Sequence, residues 1–223
     1  MSSDPAVIPC MSQTRPWIKI CGLTDPENAL GCARLGADAL GFVFFEQSPR
    51  NVSIKTAAHI ASVLPDHILT IGVFVNETYD TIMETVHECR LKGVQLHGNE
   101  PPELVNCLLK ENLWVIKALF AAKPPFLSQA PQYETASFVL VEYGKGPLPG
   151  GNAESWTYEH ALDAATTPPV VIAGGLHPDN ICQAIRAAHP AGVDVSSGVE
   201  KAYGIKDLKK VNAFITRVHN QQF

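Results

Sequence analysis

From residue 17 onward, short runs rich in β-branched and aromatic residues alternate with longer stretches whose apolar positions return every three or four residues. The short runs predict strands at 17–21, 38–44, 69–75, 93–96, 113–119, 137–142, 170–173 and 192–195. Helices are expected between them, several with readable starts. Thr24 and Glu27 have the spacing of a capping box, Ser53 and Asn76 suit N-caps, and Pro178 suits a first helical turn. A closing helix is expected over 207–218. Eight strand–helix units of roughly 25 residues each lie near the lower size of a closed parallel barrel. The expected fold is therefore a single-domain α/β protein, a (β/α)8 TIM barrel. An open doubly wound sheet would place G-x-G-x-x-G after its first strand, where this chain reads Cys21-Gly22-Leu23-Thr24.

Composition narrows this picture without changing it. The chain has 223 residues, 46% of them hydrophobic, enough for one core. Residues 1–16 carry Pro5, Pro9 and Pro16 and lack the apolar stretch of a secretory signal, so they are expected to form a loose tail before a barrel at 17–223. Met11 could serve as an alternative start. No apolar run is long enough to cross a bilayer. A net charge of -5 with no block of Lys and Arg argues against nucleic acid as a partner. Six cysteines without a C-x-x-C pair suggest neither a metal site nor a disulfide framework, and reduced thiols suit a cytoplasmic protein. The expected partner is a small molecule.

In such barrels the chemistry sits at the C-terminal ends of the strands, and a phosphate commonly binds in the loops after the seventh and eighth. Here those loops carry Gly174 and Gly175, then Ser196, Ser197 and Gly198. Glycines let backbone N–H groups approach an anion, and the serines add hydroxyl donors. Cys21 closes the first strand with Lys19 two residues earlier on the same face. An ammonium there would favour thiolate and make Cys21 a usable base, against the plainer reading of a small buried thiol.

The sixth strand is an unbroken apolar run ending on Glu142, and a partly desolvated carboxyl suits a general acid. Asp194 ends the eighth strand in the same manner and is the other acid candidate. Arg50, after the second strand, could hold a carboxylate bidentately or be a solvated loop charge. Gln95 and His97 share a face at the end of the fourth strand and could line the pocket, although His97 also reads as a hydrogen-bonded structural histidine.

These residues fall within segments that resemble the motifs of the phosphoribosylanthranilate isomerase family. The segments are Lys19-Ile20-Cys21-Gly22-Leu23-Thr24, Ser48-Pro49-Arg50, Gly72-Val73-Phe74-Val75-Asn76, Val94-Gln95-Leu96-His97-Gly98, Ala173-Gly174-Gly175-Leu176 and Gly192 to Glu200. Gly204-Ile205-Lys206-Asp207 before the last helix matches as well. The resemblance runs from Trp17 to the C-terminus. It implies an Amadori rearrangement of N-(5-phosphoribosyl)anthranilate to the 1-deoxyribulose phosphate without a cofactor, by a monomer or homodimer. A carboxylic acid would open the furanose ring, Cys21 would take the C2′ proton, and Arg50 would bind the anthranilate carboxylate.

One departure stands out. The family ends its sixth strand with Asp and a short Gly-Gly-Thr-Gly loop, whereas this chain has Glu142 and a proline-bearing segment up to Trp156. That departure leaves Glu142 and Asp194 both open as the acid. It also leaves two rival readings: a related phosphosugar isomerase, and a non-catalytic phosphosugar-binding barrel.

Overall fold

A computed structural model describes residues 15–145, 156–164 and 168–221. The tail up to residue 14 and most of the segment after Glu142 lie outside these residues. Arg15, which the pattern assigns to the tail, is held bidentately by Asp38 at 2.7 Å through both Nη atoms.

All eight expected strands are present, each within a residue or so of its expected bounds. They are β1 (Trp17–Cys21), β2 (Ala39–Phe44), β3 (Leu69–Phe74), β4 (Gly93–Leu96), β5 (Trp114–Phe120), β6 (Phe138–Glu142), β7 (Val170–Ile172) and β8 (Gly192–Val195). Every neighbouring pair is parallel, and β1 pairs with β8 to close the barrel. Among the described residues six α-helices cover it: α1 (Pro26–Arg34), α2 (Ile54–Val63), α3 (Tyr79–Cys89), α4 (Pro102–Lys110), α5 (Ile181–Ala188) and α6 (Leu208–His219). After β5 and β6 the covering segments are 3-10 turns, Leu127–Tyr133 and Tyr158–Ala164, instead of α-helices. Pro131 inside the first has no N–H to give an α-helical ladder.

The side-chain period of two sorts each strand between two cores. Ile18, Ile20, Leu40 and Phe42 face outward against the helices in the larger cluster. Ile71, Ile116, Ala118, Leu140 and Val171 fill the barrel interior. At the N-terminal end Phe138 stacks between Trp17 and Trp114, with centroids 5.1 and 5.7 Å away, and plugs the base. The opposite end is thereby left for chemistry.

Three expected helix starts differ, and the first two differences have a tertiary cause. Asp25 rather than Thr24 caps α1, accepting from Asn28 N, while the Thr24 hydroxyl donates to Gly204 O at 3.1 Å. Thr78 rather than Asn76 caps α3, because Asn76 sits at φ 56 and its Oδ1 accepts from Asn99 N. Pro178 lies in the turn before α5, whose N-cap is Asn180. Ser53 caps α2 as expected, and the closing helix starts behind its cap Asp207.

A buried ion pair pins the loops after β3 and β4. Lys117, fully buried on β5, donates to Glu100 Oε2 at 2.8 Å and to Gly98 O at 2.7 Å. Glu100 also accepts from the N–H groups of Asn76 and Gly98. Removing one partner of such a pair costs about 3–5 kcal/mol, because the other charge stays buried alone. We predict that Glu100→Gln lowers stability by about that amount. Urea unfolding should show a reduced midpoint at unchanged slope, and an unshifted midpoint would reject the role.

Candidate active site

All the candidate residues except Lys19 and Gly198 line one cleft at the C-terminal mouth of the barrel. A larger cavity opens at the opposite end beside Trp17, Trp114 and Phe138, and it touches none of the candidates. The mouth is the site consistent with the barrel's polarity.

Barrel closure brings the first strand to the last. The register sets Lys19 opposite Asp194, and Lys19 Nζ donates to Asp194 Oδ1 at 3.0 Å from a fully buried position beneath the cleft. Burial works against the Lys19 ammonium, but Asp194 and Cys21 outweigh it and raise its pKa. Cys21 projects into the cleft above Lys19, as the period of two requires. Its thiol does not follow the expectation of an ammonium-stabilised thiolate. Burial pushes the thiol above its ordinary value, and Lys19 and Lys206, which pull the other way, do not reverse that. Room for the sulfur comes from Gly41 on β2, where a Cβ would stand 2.8 Å from Cys21 Sγ and 3.2 Å from Lys19 Cε.

Across the mouth, Glu142 ends β6 with 6% of its surface exposed. His97 Nε2 stands 3.8 Å from its carboxylate, too far for a hydrogen bond, and Lys123 is near enough to interact with its charge. His97 Nδ1 meets Gln95 Nε2 at 2.9 Å. An amide nitrogen can only donate, so Nδ1 accepts and the neutral ring carries its proton on Nε2, facing the cleft. Gln95 Oε1 and His97 Nε2 are buried with no partner among the described residues. Such atoms are costly unless a ligand satisfies them. His97 is thus hydrogen-bonded through Nδ1, as its structural reading expects, and turns an unpaired Nε2 toward the cleft.

Gly174 and Gly175 turn the chain at φ 83 and 64 directly beside Glu142, whose Cβ lies 3.3 Å from where a Gly174 Cβ would stand. Trp156 Nε1 donates to Ala173 O at 2.9 Å and fixes the edge of this loop. In the neighbouring loop Ser196 and Ser197 border the cleft. The Ser196 hydroxyl is already spent on Cys21 O at 2.9 Å, so it ties the loop to β1 instead of standing free as a donor. Gly198 faces away: a Cβ there would lie 1.9 Å from Leu176 O, so this glycine permits the two loops to touch.

Arg50 is buried rather than solvated, and its partner went unnoticed in the sequence. Nε and Nη2 donate to the two oxygens of Glu200 at 2.8 and 2.7 Å. Glu200 opens a short hairpin, β9 (Glu200–Ala202) with β10 (Ile205–Lys206), and Lys206 Nζ reaches the same carboxylate at 2.8 Å. Burial opposes the charge of Glu200, but Arg50 and Lys206 hold its pKa below the usual carboxylate range. Burial lowers that of Lys206. The legible signal was two charges flanking Gly204, a hairpin turn, although nothing local says that both charges point inward.

The family model for N-(5'phosphoribosyl)anthranilate (PRA) isomerase matches residues 18–217. An N-(5'-phosphoribosyl)anthranilate isomerase of Desulfatibacillum aliphaticivorans is 46% identical over 198 residues, covering 89% of this chain and 90% of the relative. The solved phosphoribosyl anthranilate isomerase of Thermotoga maritima superposes with a TM-score of 0.81 at 34% identity, over 92% of this chain and all of that one. A structure of such an enzyme with reduced 1-(o-carboxyphenylamino)-1-deoxyribulose 5-phosphate superposes at 0.78, with 34% identity and 92% and 100% covered.

Because burial raises the Cys21 thiol, the free protein should hold it protonated at neutral pH, with thiolate appearing only above the pH at which an ordinary thiol ionises. Peptide-resolved alkylation at pH 7.5 should therefore label the exposed Cys107 well before Cys21. Faster labelling of Cys21 would show that the lysines prevail over burial.

Proposed function

We propose the roles of individual side chains from one premise: this chain belongs to the N-(5′-phosphoribosyl)anthranilate isomerase family, whose model matches residues 18–217. It isomerises N-(5′-phosphoribosyl)anthranilate to 1-(2-carboxyphenylamino)-1-deoxyribulose 5-phosphate in tryptophan biosynthesis. The reaction needs an acid for the furanose oxygen and a base for the C2′ proton on one bound sugar. The observation that carries the assignment is that Glu142 and Cys21 line the same cleft from opposite strands of the barrel.

Glu142 is the acid. Asp194 is engaged by Lys19 at 3.0 Å, whereas Glu142 stands at the cleft with the His97 ring nitrogen at 3.8 Å and Lys123 close enough to feel its charge. Protonating the ring oxygen breaks its bond to C1′ as the anthranilate nitrogen lone pair forms the C=N bond. The resulting cationic Schiff base lies over Cys21. A positive charge there favours thiolate against the desolvation that disfavours it in the free protein, so the thiol gives up its proton to solvent at the open cleft as the Schiff base forms. The thiolate then removes the C2′ proton, and the enolamine becomes the ketone.

The glycine loop at 174–175 and the serine loop at 196–197 close one end of the cleft and suit the phosphate, although Ser196 contributes through its backbone. Gln95 Oε1 and His97 Nε2 are free to meet ribose hydroxyls. Arg50 lines the same cleft and, as the family resemblance implies, takes the anthranilate carboxylate.

The primary test is to mix the purified protein with freshly generated phosphoribosylanthranilate and follow the loss of its fluorescence. Turnover excludes a protein that merely binds phosphosugars. Cys21→Ser should fold normally and lose about 10²–10⁴-fold in kcat, since a hydroxyl is far harder to deprotonate than a thiol. Near-wild-type turnover would reject Cys21 as the base. Glu142→Gln keeps size and hydrogen bonding but removes the transferable proton. Its kcat should fall by a similar factor while affinity for the reduced product analogue holds, as for an interaction made chiefly in the transition state. Full activity would move the acid to Asp194, with Asp194→Asn as the next measurement.

A further inference from the structure

The network around Arg50 is more elaborate than anchoring a loop requires. Its aliphatic stem passes over Gly22, where a Cβ would fall 2.5 Å from Arg50 Cδ, so the side chain reaches the mouth only because residue 22 has none. One edge of its guanidinium, Nε with Nη2, is saturated by the two oxygens of Glu200. One face is covered by Tyr203, with the ring centroid 5.2 Å from Arg50 Cζ. Glu200 in turn accepts from Lys206 Nζ at 2.8 Å and from Gly204 N at 3.2 Å. The hairpin bearing them is fixed to α1 through Asn28. That side chain donates to Lys206 O at 2.9 Å and accepts from Lys206 N at 2.7 Å.

A guanidinium has two edges that can grip a carboxylate in parallel, the Nε edge and the Nη1–Nη2 edge. With the first occupied, only the second remains for a ligand, and its direction is set by the plane that Glu200 and Tyr203 impose. We infer that Glu200, with Tyr203 against the opposite surface, is a positioning residue that turns the terminal edge of Arg50 toward the carboxylate of the substrate. It thereby sets selectivity for an ortho-carboxylated aryl group over a plain one. The inference rests on the isomerase reading of the cleft and on Arg50 as the carboxylate partner.

Lys206 supports this charge arithmetic. Without it, Glu200 would cancel Arg50 and leave no attraction for an anion. With it the trio keeps one net positive charge beside the cleft, in a place dry enough for that charge to count.

The test compares two ligands that differ only in the carboxylate. These are reduced 1-(o-carboxyphenylamino)-1-deoxyribulose 5-phosphate and its phenylamino counterpart, with affinities measured by calorimetry on the full chain. A well-placed bidentate contact to a charged group is worth roughly a tenfold to hundredfold preference for the carboxylated ligand in the wild type. In Glu200→Gln that preference should fall to within a few-fold of unity even though the trio gains one positive charge, because the guanidinium edge is no longer directed, while the phenylamino ligand binds much as before. Loss of structure alone would weaken both ligands equally and leave the ratio intact. Glu200→Asp, which keeps the charge but shortens the reach, should retain an intermediate ratio. In an Arg50→Ala background, Glu200→Gln should change the ratio no further, since there is nothing left to orient. An undiminished ratio in Glu200→Gln, with the wild type discriminating, would overturn the inference and leave the isomerase reading standing. A wild type that binds neither ligand would overturn that reading and the inference with it.

Discussion

Closure of the barrel between β1 and β8 is the constraint on which the mouth depends. It is made in a register that puts Lys19 beside Asp194, residues 175 positions apart in the chain. An ammonium in a barrel lumen must be paired, since an isolated buried charge costs far more than the fold has to spare. A register shifted by one residue would turn the charge on the slipped strand into the apolar helix layer and leave the other unpaired. The ion pair and the apolar alternation of the two strands therefore agree on one closure, and that closure sets Cys21 at the rim.

The same desolvation that demands partners also tunes the chemistry. The mouth holds Cys21, Glu142, Asp194, Arg50, Glu200 and Lys206, all shielded from solvent to a similar degree. What separates their roles is who stands next to whom. Asp194, Arg50, Glu200 and Lys206 are bound into pairs and act as fixed charges. Burial raises the Cys21 thiol, and Glu142 has the His97 ring nitrogen at 3.8 Å and Lys123 within electrostatic reach.

Elsewhere the fold uses backbone-rich contacts to hold its loops. Glu100 and Lys117 fasten the turns after β3 and β4, and Asn28 fastens the hairpin that carries Glu200 and Lys206. These side chains interact with main-chain groups as well as with each other. A loop so held keeps its functional side chains in place without depending on a helix or strand of its own.

By itself the sequence determined the eight strands, their inward and outward faces, the barrel and the set of residues at its mouth, because these follow from a side-chain period of two and from position along each strand. It also carried the family motifs. It did not determine the caps at Thr24 and Asn76, whose polar side chains were drawn away by Gly204 and Asn99, nor the 3-10 segments after β5 and β6. Nor could it show that Lys19 fails to yield a thiolate, that Ser196 is occupied by Cys21 O, or that Glu200 grips one edge of Arg50. Those outcomes depend on distances between residues some 150 or more positions apart, such as Arg50 and Glu200, and on how much water remains between them. Local pattern encodes which face a side chain takes, and only the closed barrel decides what it meets there.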